Sequence, residues 1–441
     1  MMLAPWAFVL ATSSAHAPQD DERPALSILC PAAWIELARP LAEARSKQLA
    51  LELTALEDVL ASSSEGDAPE RIKRHLFEAW RTRRVRYALL VGDSDVFPVR
   101  FMALDRFTPA AANFAFYACD LYYADVARAD GSFDDWNAHR EGPFARYFGE
   151  VRGEALKSDP INMDAISYVP ELAVGRFPVS TPEELHAVVA KTLTWVPRGE
   201  HASLWIHAGG WIDERERVQR ILTQQGELGA RTAAQLFGGA DALPTRASVV
   251  AAWSGAVDTI YHLGHGSPAT WEGCLALEDL GLLRERRPLI ALSAGCNTAE
   301  FCVEPPYHAY LDEHGIQHRG TNAGETFATP PAPPASLQPG PYDLTGIGEE
   351  LVRAPSGGAV VYIGCATGAQ PCAVTLLEQF ALSASRSDCA RAGDAWRTAV
   401  ARYHELEHLA ELRPNEDWYP PAVYFQAMKF LYFGDPSLPL R

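Results

Sequence analysis

The 441-residue sequence predicts an α/β fold: a mainly parallel sheet with helices on both sides. Three observations predict it. Short apolar, strand-like runs alternate with segments of helical period along most of the chain. Helix starts carry capping signals just after such runs. The series then begins again near residue 200, after a break at 196–202 around Pro197 and Gly199. These features divide the chain into an N-terminal half at 25–199 and a C-terminal half at 200–441. The length suits one large domain built in two halves.

The elements follow in order. Residues 26–30 (LSILC) form an apolar run, and Trp34, Leu37, Ala38 and Leu41 then recur at helical spacing. Leu49, Leu51 and Leu53 alternate as a strand does. Ile72, Leu76 and Trp80 mark a helix over 68–80, followed by an apolar strand at 87–93. The run 168–180 reads as a strand leading into a helix with Thr181 as N-cap, Pro182 at N1 and Glu184 closing a capping box. In the second half, 203–208 reads as a strand, and Asp213 with Glu216 caps a helix carrying Val218, Ile221 and Leu222. Further strands are expected at 257–263, 288–294 and 358–364. Residues 303–345 break the pattern, and 330–341 (PPAPPASLQPGP) is too proline-rich for helix or central strand. Such a Pro-rich insertion is expected to be either a lid or a disordered loop.

Composition narrows the function. Hydrophobic residues make up 48% and charged residues 21%, an ordinary globular balance. A formal net charge of −18 argues against nucleic acid and anionic membrane surfaces as partners. Residues 1–17 combine an apolar run with Ala15-His16-Ala17, an A-x-A cleavage pattern, so a signal peptide and a secreted or cell-envelope location are expected. Beyond that leader no stretch reaches the length of a membrane span. The eight cysteines lack C-x-x-C spacing, which argues against a zinc knuckle, and their pairing is left open.

Two strand ends carry chemistry. YHLGHGSPATW (261–271) places His265 on a glycine-flanked loop after one strand, and ALSAGCNTAEF (291–301) places Cys296 after the next. Ligands bind beyond the carboxyl ends of strands in open α/β sheets, so adjacent strands would bring the two together. An imidazole beside a thiol supplies thiolate character and then protonates a leaving amine. A glycine next to the histidine lets a backbone N–H approach a developing oxyanion. A buried cysteine and a polar turn histidine are the plainer account of the same residues.

Gly264-His265-Gly266-Ser267 with Trp271 resembles the catalytic histidine loop of the gingipain-like cysteine peptidases. Gly295-Cys296 with Glu300-Phe301 resembles their nucleophile loop, residues 168–185 their strand-to-helix signature, and FGDPSLPLR (433–441) their closing strand and turn. The resemblance extends from about residue 25 to the end. It implies a caspase-like fold of two side-by-side α/β halves with mainly parallel sheets, and an enzyme acting on peptide or protein substrates. It makes Cys296 the nucleophile and His265 the general acid/base, with the N–H groups of Gly266 and Cys296 as oxyanion hole, and no cofactor is required. The sequence departs from the family where a carboxylate often follows the strand at 203–208, since HAGGWIDER stands there; Asp213 and Glu214 are the nearby candidates for an orienting or S1-pocket acid.

Rival readings remain. A non-catalytic binding protein on the same fold would accommodate the missing acid. His404-Glu405-Leu406-Glu407-His408 matches H-E-x-x-H and implies a zinc hydrolase, but only 33 residues remain for a third ligand. The same segment reads as an amphipathic helix over 396–412 with Val400, Tyr403, Leu406 and Leu409 turned inward. His314 and His318 are expected to be solvated loop histidines, and His262 to hold a packing or supporting role. Asp130, Asp134 and Asp135 form an oxygen-rich loop able to hold structural calcium.

Overall fold

The computed structural model describes residues 23–104, 115–138, 140–142, 145–151, 160–198, 201–207, 214–237, 244–253, 257–327, 331–413 and 420–441. The leader at 1–17 and Asp213 lie outside the described residues.

Among the described residues ten strands make one sheet: β1 (Ala25–Cys30), β2 (Ala50–Ala55), β3 (Val85–Val91), β4 (Ala173–Phe177), β5 (Ala202–His207), β6 (Arg231–Phe237), β7 (Thr259–Leu263), β8 (Leu289–Ser293), β9 (Ala359–Cys365) and β10 (Phe430–Gly434). Their order is β2-β1-β3-β4-β10-β9-β8-β7-β5-β6. Every neighbouring pair is parallel except β9 and β10. Strands β1 to β4 and β10 therefore point one way, and the other five point back. The carboxyl ends of β7, β8 and β9 share an edge with the amino end of β10. The last strand of the chain thus sits at the seam between the halves, where Phe433 is the register partner of Arg176.

Both faces of the sheet are covered, as strands buried throughout require. Leu26, Leu89, Leu204 and Tyr362 pack on one side with the helices Ile35–Ser46, Pro182–Leu193 and Ile347–Arg353. Leu90, Trp205, Tyr261 and Ile363 pack on the other with Ala68–Arg83, Arg215–Glu227, Ala373–Ser385 and Ala392–Leu406. The capping box forms: Thr181 Oγ1 accepts from Glu184 N–H at 3.2 Å, and Glu184 accepts from Thr181 N–H at 3.3 Å. Arg176, wholly buried, grips Asp120 with two bonds of 2.9 and 2.7 Å and ties β4 to the segment that carries Asp120.

Local expectations fail where a distant contact overrides them. The strand expected over 168–180 shortens to Ala173–Phe177, because Tyr168 adopts φ 60° and sends its hydroxyl to the Tyr424 carbonyl. The helix at 215–227 has Glu214, not Asp213, at its N-cap, without a side-chain capping bond. The insertion contains ordered structure in its described part. Tyr310–Leu311 pairs with Gln317–His318, and the proline-rich run lies across the first half, with Val99 N–H donating to Ser336 and Gln338 N–H to Ser94. Among the described residues no helix is long and apolar enough to cross a membrane.

Candidate active site

Register places the two candidate side chains. On the parallel pair β7 and β8, His262 stands opposite Ser293, an offset kept from Thr259–Ile290 onward. His265 and Cys296 each lie three residues further along, so the loops leave the sheet side by side, at strands roughly 4.8 Å apart. The ladder runs one step past β8, with Ala294 N–H donating to the His262 carbonyl at 3.0 Å.

Beyond the strands the loops touch through glycine. A Cβ on Gly266 would lie 2.4 Å from Thr298 Cγ2, 2.9 Å from the Cys296 carbonyl oxygen and 3.1 Å from Gly295 Cα. A Cβ on Gly295 would lie 3.1 Å from the Gly266 nitrogen and Cα. No side chain fits at either position without moving the loops apart.

A buried polar lattice supports both loops from below. The His262 ring stacks on Trp271 at 4.8 Å, and its Nδ1 lies 2.9 Å from Ser293 Oγ. Ser293 Oγ accepts from Gly295 N–H at 3.1 Å, and Trp271 Nε1–H donates to the Tyr362 hydroxyl at 3.0 Å. Burial, with His207 and His265 nearby, pulls His262 down to about 3, so this ring is neutral. His262 is a support rather than a proton carrier.

The chain turns sharply after Cys296. Asn297 adopts φ 56°, a conformation asparagine tolerates, and its N–H donates to Thr367 O at 2.8 Å. Its side-chain amide donates to Glu300 at 3.0 Å. Burial and the neighbouring Glu304 push Glu300 up to about 7. Cys296 is half-buried, and the Ala369 N–H donates to its sulfur at 3.3 Å. Ala369 belongs to the loop after β9, on the far side of β8 from the histidine. The Cys296 N–H has no acceptor among the described residues. His265 is exposed, and among the described residues no hydrogen bond joins it to Glu214.

All eight cysteines are free thiols. Burial pushes Cys30, Cys119, Cys274 and Cys365 up to about 12, and Cys372 and Cys389 to about 11, which leaves these six protonated at neutral pH.

The sequence matches the profile of peptidase family C25 over residues 19–441. The chain belongs to peptidase family C25, the gingipain family of cysteine-type peptidases. Its fold is that of the crystal structure of the Arg-specific cysteine proteinase gingipain R, with a TM-score of 0.62 at 13% identity over 96% of this chain and 79% of that one. The complex of the pro- and mature domains of the Porphyromonas gingivalis enzyme matches with a TM-score of 0.61 at 14% identity, over 94% and 79%. An uncharacterized protein of Archaeoglobus fulgidus is 27% identical over 161 residues, 31% of this chain and 39% of that protein.

The rival motifs in this C25 chain separate on geometry. The helix carrying His404 ends at Leu406, and His408 takes φ 52° beyond it, so the two histidines do not share a helix face. His404 stacks on Tyr168 instead, at 5.6 Å. Leu406, expected inside, is 41% exposed, because the helix stops before its inward face returns; Leu409 is buried. His318 is not a solvated histidine: it lies 3.1 Å from Asp312 and 2.9 Å from Glu325 and stacks on Tyr310. His314 is half exposed beside Glu313. In the oxygen-rich loop, Asp130 accepts from Ser132, Asp135 pairs with Arg140, and Arg128 lies 3.6 Å from both Asp134 and Asp135. Three carboxylates that do converge are Asp93, Asp95 and Asp343. Sequence reasoning missed Ala369, since a backbone donor has no side-chain signature; its position after the strand next to β8 was the available clue.

Proposed function

We propose that the protein is a cysteine endopeptidase in which Cys296 is the nucleophile and His265 the general acid/base. The observation that carries this reading is the backbone contact between Gly266 and Gly295, which holds the two loops together at one sheet edge. In the reaction, the Cys296 thiolate attacks the peptide carbonyl carbon. The N–H groups of Gly266 and Cys296 receive the oxyanion, and each donor of this kind lowers the barrier by roughly 3 kcal/mol. The His265 imidazolium gives its proton to the leaving amine as the C–N bond breaks, leaving a thioester. His265 then takes a proton from water, whose oxygen attacks the thioester; the C–S bond breaks, the acid leaves, and the Cys296 thiolate and His265 imidazolium are restored. The sequence runs on side chains and backbone alone. The proposed substrates are peptides or proteins, met outside the cytoplasm or at the cell envelope after export by the leader at 1–17.

The Ala369 bond to the sulfur supports a second reading, a binding protein of the same fold in which the cysteine is held rather than used. Peptide cleavage by wild type, Cys296→Ala and His265→Ala separates the two. Loss of cleavage in both folded variants is expected; a Cys296→Ala protein cleaving at the wild-type rate would falsify the assignment.

A further inference from the structure

One peptide group joins a buried lysine to the candidate nucleophile. Lys429, 3% exposed, precedes β10 at the edge where Cys296 leaves β8. Its ammonium donates to the Gly368 carbonyl at 2.5 Å and lies 4.2 Å from the centre of the Phe425 ring. The Gly368 carbonyl and the Ala369 N–H belong to the same planar peptide unit, with donor and acceptor pointing in opposite directions. The carbonyl end meets the ammonium, and the N–H end meets Cys296 Sγ at 3.3 Å. A cation on a peptide oxygen polarises the unit and strengthens its N–H as a donor. The same stretch of chain grips the loop twice more. Ala366 N–H donates to the Lys429 carbonyl at 2.8 Å, and Gln370 N–H donates to Gln426 Oε1 at 3.0 Å.

We propose that Lys429 is a positioning residue for Cys296: it fixes and polarises the Gly368–Ala369 peptide, whose N–H then favours the thiolate. The inference rests on the reading of Cys296 as nucleophile. A donor to a charged sulfur binds more strongly than one to a neutral thiol, so the arrangement selects the reactive form. The titratable groups facing the lysine are Tyr117, whose ring centre lies 5.4 Å from the ammonium, and Cys365, Glu304, Cys372 and Cys296; burial lowers its affinity for a proton and the last four raise it.

The test compares wild type with Lys429→Met, Lys429→Gln and Lys429→Arg. The readout is the rate of iodoacetamide alkylation at Cys296, followed by mass spectrometry of its peptide from about pH 5 to 10, a range that brackets ordinary thiols. Lys429→Met is expected to move the midpoint up by about one pH unit and to slow labelling at neutral pH roughly tenfold. Lys429→Gln keeps a donor without the charge and falls between. Lys429→Arg recovers most of the wild-type profile. With a peptide substrate, kcat falls while KM changes little. A lysine that merely holds the loop would change the melting temperature and leave the midpoint in place. Coincident midpoints for wild type and a folded Lys429→Met or Lys429→Gln protein overturn the proposal, whatever the cleavage assay gives. A wild type whose midpoint lies below that of Lys429→Met but that cleaves no peptide overturns the peptidase reading and leaves the lysine's role standing.

Discussion

Gly266→Ala is the smallest change that should separate the His265 and Cys296 loops. The added methyl would meet Thr298 Cγ2 at 2.4 Å, the Cys296 carbonyl oxygen at 2.9 Å and Gly295 Cα at 3.1 Å. Non-bonded carbons rest at about 3.5–4.0 Å, so the histidine loop has to retreat by about 1 Å. The threonine methyl is held in place by the Thr298 hydroxyl's bond to the Gly295 carbonyl at 3.1 Å, and the two backbone atoms cannot turn aside. A misplacement of that size costs on the order of a hundredfold in rate, while overpacking costs about 1–3 kcal/mol of stability. The assay is kcat/KM on a peptide substrate, alongside alkylation of Cys296 and a urea melt. Cleavage should fall about a hundredfold. Alkylation should slow as well, because the imidazole moves away from the sulfur, but by less than cleavage, since the Ala369 bond still reaches the sulfur from β9. Adding Thr298→Ser removes the worst contact but not the backbone ones, so recovery should be partial. Cleavage by a folded Gly266→Ala protein within twofold of wild type would refute the reasoning.

Two further outcomes follow from buried polar groups. Tyr362→Phe leaves the Trp271 indole N–H without its 3.0 Å partner in a buried site, and should cost about 1–3 kcal/mol in denaturant unfolding; an unchanged midpoint would show that the Trp271–Tyr362 bond supports nothing. Burial and the Asp93 carboxylate push Asp343 up to about 7, from an ordinary value of 3.8. Between those values the folded protein holds a proton that the unfolded chain has lost, so this group's contribution to stability falls as pH rises. Asp343→Asn should therefore stabilise more at pH 8 than at about pH 4; equal gains at both would contradict the crowding of carboxylates.

Where sequence and structure agree, the signals are local. The Thr181–Glu184 box starts its helix because both partners lie within one turn. The adjacency of the His265 and Cys296 loops was legible because each follows an apolar strand and sits beside glycine, and their separation in sequence equals the register of β7 on β8. Where they differ, a distant contact decided. His404 and His408 satisfy a zinc pattern in sequence, but the helix ends between them and Tyr168 takes the first ring. The described insertion is held by donors from Val99 and by its own Gln338, residues no periodicity links to it.

The sequence alone determined the strand-helix alternation, the helix caps and the pair of glycine-flanked loops, because periodicity and capping depend on neighbours a few residues apart. Tertiary structure alone decided that β10 closes the seam between the halves, and that the Lys429 ammonium meets the sulfur through one peptide of the β9 loop. Those contacts join residues 61 and 73 positions apart, each through a backbone atom that nearly every residue carries, so nothing in the composition of either segment announces them.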